Sequence, residues 1–157
     1  MMIDKEIQND IGREIVANLG ALPGYGGIVW WAGKGSHPLD GATHEWGIDV
    51  KTVDHNDPYH RYVPSGKRNY PRVTESKNEQ ALQMGLKGII GVLVEVDYRN
   101  DTAEIWAKEM PLKAHWFNNS LQSGVYGWNK YDAPRILERV PFKNPMKNPH
   151  SHVPLNQ

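Results

Sequence analysis

From Ile89 to Tyr98 the chain runs almost without interruption through isoleucine, valine, leucine and glycine. A β-branched run of that length reads as a central strand, buried on both faces because helices cover the sheet on each side. Such a strand requires partners along its edges, and therefore a sheet around it. With 157 residues there is room for one domain of this kind and not for two.

The segments on either side supply the partners. Ile3, Ile7, Ile11 and Ile15 recur every four residues and are widened by Val16 and Leu19, which predicts an amphipathic helix ending near Gly20. Glu6, Asp10 and Glu14 lie on its polar face. Pro23 and its neighbouring glycines break the helix, Ile28 to Trp31 reads as a short strand, and Lys34 to Pro38 as a loop. Between Glu45 and Val53 the residues alternate, with Trp46, Ile48 and Val50 on one face and Glu45, Gly47, Asp49 and Lys51 on the other.

Residues 54–72 are polar and carry Arg61, Lys67, Arg68 and Arg72 among Tyr59, Tyr62 and Tyr70. Thr74 is placed to cap a short helix from Glu75 to Gly85 or Gly88. After the long apolar run, Asn100-Asp101 makes a turn into an alternating strand from Thr102 to Lys108, forming a hairpin. Residues 111–142 show aromatic side chains without periodicity and read as irregular, closing a single domain over 1–142. From Lys143 the prolines, asparagines and histidines cannot bury a core, so 143–157 reads as a flexible tail. The expected fold is α/β, a mixed central sheet flanked by helices.

Composition narrows the function. Lysine and arginine total 18, as do aspartate and glutamate, so the molecule is no polycation, and any nucleic-acid contact must come from a local patch. Cysteine is absent, which removes disulfides, thiolate zinc sites and cysteine nucleophiles and favours a reducing compartment. No stretch approaches the roughly twenty apolar residues of a membrane span, and Met1 to Glu6 lacks the order of a signal peptide, so a soluble cytoplasmic protein is expected.

Into this order of elements fall Pro38-Leu39-Asp40 and, on the alternating strand, Asp49-Val50-Lys51. Strand geometry sets Asp49 and Lys51 on one face about 7 Å apart. Carboxylates are the ligands that hard divalent cations accept, and an ammonium beside them can orient water or stabilise a phosphate.

From Ile3 to Lys108 this arrangement resembles the PD-(D/E)xK nuclease superfamily, in which an acid near one strand and an acid-x-lysine on the next converge at a sheet edge. The resemblance implies a restriction-endonuclease-like fold and a metal-dependent DNA endonuclease. Asp40 and Asp49 would hold Mg²⁺ or Mn²⁺ and Lys51 would assist the nucleophile. Lys67, Arg68, Arg72 and Lys77 would hold the DNA backbone. The resemblance also implies a homodimer that cuts both strands. Leu39 separates the proline from the acid, and the short interval to Asp49 requires a tight hairpin around Gly41 to His44. Glu45 is a substitute ligand, and Glu6, Asp10 and Glu14 are candidates for an acid contributed by the first helix.

Other readings stand beside this one. An Asp-x-Lys on a strand is also the ordinary solvated face of an amphipathic strand, and the basic segment is also an ordinary solvated loop. His55, Asn69 and Asn78 resemble the His-Asn-Asn pattern of HNH nucleases, where the histidine activates water. A non-catalytic nucleic-acid-binding protein of the same fold is a further alternative. His150 and His152 lack a rigid surround, and Trp30, Trp31, Trp46 and Trp106 are most simply core or interface residues.

Overall fold

The isoleucine stripe at the N-terminus forms α1, Lys5–Leu19. Asp4 starts it by accepting hydrogen bonds from the backbone N–H groups of Glu6 (2.8 Å) and Ile7 (3.4 Å), a cap worth about 1 kcal/mol. Gly20 stops it in the left-handed conformation, φ 71°, which a glycine adopts without steric cost.

This is a computed structural model describing residues 4–33, 35–56, 72–112, 126–127 and 133–145. After α1 come β1 (Ala21–Leu22), β2 (Gly26–Gly27), β3 (Trp30–Trp31), β4 (Gly41–Ala42) and β5 (Trp46–Asp54). These are followed by β6 (Arg72–Val73), α2 (Glu75–Gln83), β7 (Gly88–Asp97), β8 (Thr102–Pro111), β9 (Tyr126–Gly127) and β10 (Arg135–Pro141). The molecule is mixed α/β. Among the described residues its main sheet has six strands, in the order β10-β8-β7-β5-β4-β3. Of these strands β5 and β7 run parallel, in continuous register from Trp46 opposite Gly88 to Asp54 opposite Val96. The other neighbours in this sheet are antiparallel. Separate ribbons pair β1 with β2 and β6 with β9.

The apolar run becomes the central strand β7, bordered by β5 and β8. Its even-numbered residues Ile90, Val92, Val94 and Val96 join Ile48 and Ile105 in packing against Ile11, Ile15 and Val16 of α1. Its odd-numbered Ile89 and Leu93 pack with Val53, Trp106, Met110 and Ala81 of α2. The two helices thus cover opposite faces. Each fully buried Val, Leu or Ile contributes about 1.5–3 kcal/mol. At Gly12 α1 seats directly on β5, and a β-carbon there would fall onto Thr52 Oγ1.

Several expectations need correction. Thr74 precedes α2, but its side chain makes no capping bond and instead meets the Ser76 hydroxyl at 3.3 Å. Part of the segment expected to be irregular is strand β10, whose register against β8 shifts twice and whose Arg139 has φ 54°. Those irregularities break the period of two by which a strand is recognised. The expected tail begins inside packed structure: Asn144 is buried and donates to the Tyr98 carbonyl and to Asp101 Oδ1, both at 3.0 Å. Residues 146–157 lie outside the described residues. Among the described residues no helix is long and apolar enough to cross a membrane.

Candidate functional site

The tight hairpin expected between Asp40 and Asp49 is present, closed by Thr43, whose N–H donates to the Trp46 carbonyl at 2.8 Å. Its two strands soon part. β4 pairs with β5 only at Gly41 opposite Ile48 and Ala42 opposite Gly47, so β5 runs on past Ile48 without a strand on that edge among the described residues. A backbone edge buried without partners is costly, and here side chains supply them. The Val50 N–H donates to Asp40 Oδ2 at 2.7 Å, and the Thr52 carbonyl accepts from Gln8 Nε2 of α1 at 3.1 Å. On the other side of Asp40, the N–H of fully buried Leu39 donates to Gln80 Oε1 of α2 at 2.9 Å. Asp40 is therefore fixed by β5 through its side chain and by α2 through its neighbour.

Asp49 is the second carboxylate. It is buried, and Lys77 Nζ of α2 approaches its Oδ1 to 3.0 Å. Arg13 of α1 reaches Asp40 Oδ1 at 3.6 Å and also pairs with Asp10. Burial, then the negative charge of Asp49, pushes the Asp40 carboxyl up to about 6, against the opposing pull of the Val50 N–H, Arg13 and Lys77. Two carboxylates close enough to repel, each with a cation beside it, occupy the notch where β4 leaves β5. Lys51, half-buried, lies two residues from Asp49 on the same side of β5. Among the described residues no third carboxylate or histidine joins the pair closely enough to form a three-ligand metal group.

The remaining expected residues are placed as follows. Lys77, expected on the DNA backbone, lies against Asp49. Glu45 is exposed and pairs with Lys87 at 3.5 Å. Glu6 is exposed in the first turn of α1, while Asp10 and Glu14 flank Arg13 beside a cleft. Lys67, Arg68 and Asn69 lie outside the described residues, as does the side chain of Arg72. Asn78 is buried on α2. His55 follows β5, and its Nδ1 lies 2.6 Å from Oε1 of Glu95, a buried carboxylate on β7.

Arg13, Gln8 and Gln80 were invisible as site residues in the sequence. A polar side chain on the outer face of an amphipathic helix carries no signal of what it will reach. The one trace is Arg13 three residues after Asp10, a spacing that brings side chains together on a helix.

Searches of the chain against family models, curated proteins and solved structures found no match.

Proposed function

We propose that this protein is a metal-dependent nuclease that hydrolyses DNA phosphodiesters at the notch between β4 and β5. The observation that carries the reading is the meeting of Asp40 and Asp49 there, ringed by Arg13, Lys77 and Lys51. The order of elements supports it: a helix, three antiparallel strands, a helix, then a strand parallel to the third, an order that resembles the restriction-endonuclease-like fold. Mg²⁺ or Mn²⁺ suits the donors present, because these ions are commonly held by one or two carboxylates, with waters and substrate phosphates completing the shell. Burial raises Asp40 and the Asp49 charge adds to it, and a divalent cation held by both carboxylates would relieve that repulsion. Such an ion, when bound, neutralises phosphate charge and lowers the pKa of water.

The chain's own residues do the rest. Asp40 and Asp49 hold the ion. Lys51 orients the attacking water and stabilises charge on the phosphate oxygens. Arg13 and Lys77, whose carboxylate partners are then engaged elsewhere, offer donors to the same phosphate or its neighbour. Hydrolysis joins the water oxygen to phosphorus and releases one ester oxygen.

The test is cleavage of plasmid, linear duplex and four-way-junction DNA in Mg²⁺, Mn²⁺ or EDTA. Cleavage in either metal, absent in EDTA and in folded Asp49→Asn protein, is expected. Full activity in that mutant would overturn the assignment. His55→Ala should still cut, because six residues of strand place His55 roughly 20 Å from Asp49. Loss of cutting there would favour the HNH reading.

A further inference from the structure

The nuclease reading leaves unexplained a cleft of about 220 Å³ beside the notch, lined by Asp10, Arg13, Glu14, Ala17, Trp31 and Gly33. Arg13 belongs to both places, since it lines the cleft and its guanidinium lies 3.6 Å from Asp40. Trp31 is tied to the notch as well: β3 pairs with β4 at Trp31 opposite Gly41, and the Ala32 N–H donates to the Asp40 carbonyl at 2.9 Å. The ring is held in place. A β-carbon at Gly41 would lie 2.5 Å from Trp31 Cε3 and 2.9 Å from Cζ3, so the absence of a side chain there lets the indole lie against the sheet. The cleft thus has one fixed aromatic wall and a facing helix wall bearing a guanidinium and two carboxylates.

Those walls select a ligand. Asp10 and Glu14 would repel a phosphate in the cleft, whereas a nucleobase is uncharged and brings N–H groups that carboxylates accept. An aromatic ring and a guanidinium are both platforms on which bases stack. A base paired within a duplex has its faces covered by neighbours and cannot enter. We infer that this cleft receives an unpaired nucleobase of the strand held at the notch, so that the preferred substrate carries single-stranded or branched DNA next to the cut. The inference rests on the nuclease reading and specifies its substrate class.

Asp49→Asn protein, which should bind without cutting, is titrated with three labelled DNAs: a full duplex, a fork with unpaired arms, and the same fork with abasic arms carrying the same phosphates. The normal fork should bind about tenfold or more tighter than the abasic fork, the scale of one or more base–aromatic stacks. 2-Aminopurine in the unpaired arm should change its emission on binding. Trp31→Leu, which keeps apolar bulk but removes the stacking face, should abolish the difference and leave duplex and abasic-fork affinities unchanged. Trp31→Phe should retain it. Equal affinity for the two forks overturns the inference without recourse to any Trp31 variant, and so does a Trp31→Leu variant that weakens all three DNAs alike. In either case, metal-dependent cleavage and duplex binding that persist leave the nuclease reading standing. Absence of both cleavage by the wild-type protein and binding to any DNA would overturn the two together.

Discussion

Two buried carboxylates lie on the α2 side of the sheet, Asp49 on β5 and Glu95 on β7, and they are solved differently. Glu95 stands opposite Val53 in the parallel ladder and meets the imidazole of His55 at 2.6 Å. Asp49 has a cation, Lys77, but also a second carboxylate beside it, Asp40, which burial and then the Asp49 charge push up to about 6. Across the β7–β8 ladder Glu95 stands opposite another acid, Glu104, but that carboxylate is partly exposed and is held by Arg135 at 3.2 Å. Two carboxylates brought together in a buried notch repel each other, and the cation proposed for this site would relieve that repulsion. On the proposed nuclease reading, Asp40 and Asp49 are the functional pair and Glu95 and His55 a structural one.

Mutation should separate them most sharply in catalysis. Asp49→Asn removes a ligand charge and should lower metal-dependent cleavage by about 10³-fold or more, the scale of several kcal/mol of transition-state stabilisation. Glu95→Gln should leave the cleavage rate within a few-fold of wild type. Equal losses in the two variants would erase the distinction.

Acidity gives the next largest effect. Asp40 is raised in the fold, so the native state holds its proton more tightly than the unfolded chain does. Below about pH 4 both states are protonated and the group contributes nothing. As pH rises to about 6, stability falls, and above that the metal-free protein carries a penalty of about 3 kcal/mol. Urea unfolding from pH 4 to 8 should show this fall as the difference between wild type and Asp40→Asn, which keeps an oxygen for the Val50 N–H. Excess Mg²⁺ should cancel it near neutral pH. A difference that rises with pH would reverse the sign and refute the account of Asp40.

Packing sharpens the comparison at smaller cost. Glu95→Gln should destabilise by roughly 1.5–3 kcal/mol by weakening a charge-assisted bond to His55, while Asp49→Asn should cost less because it also removes repulsion. Val94→Ala, in the fully buried centre of β7, should cost roughly 1–3 kcal/mol in denaturant unfolding without touching either pair. Gly12→Ala forces α1 off Thr52 and should cost roughly 1–3 kcal/mol. It should also reduce cleavage, because Gln8 and Arg13 ride on the same helix.

The parts legible in the sequence are those with an unbroken period. The β7 run, the alternation of β5 and the four-residue spacing of α1 each announce their element, and Asp40 and Asp49 can be paired across a hairpin of known length. β10 was hidden because two register shifts break its alternation. Lys77 reads as one more cation of a basic stretch, yet α2 brings it to Asp49, a distance set by the crossover between β5 and β7 rather than by local spacing. Arg13 became part of the site only through the close seat of α1 at Gly12. Tertiary placement of helix side chains is the layer that a single sequence conceals.

The central claim is that the Asp40–Asp49 pair is a divalent-cation site and the Glu95–His55 pair is not. Titration of the full chain with Mn²⁺ at pH 7.5, followed by electron paramagnetic resonance of the free ion, measures this directly. Wild-type and Glu95→Gln proteins should bind Mn²⁺ with the same affinity, and Asp49→Asn should lose that binding. Binding that survives Asp49→Asn, or that disappears with Glu95→Gln in a folded protein, would contradict the account.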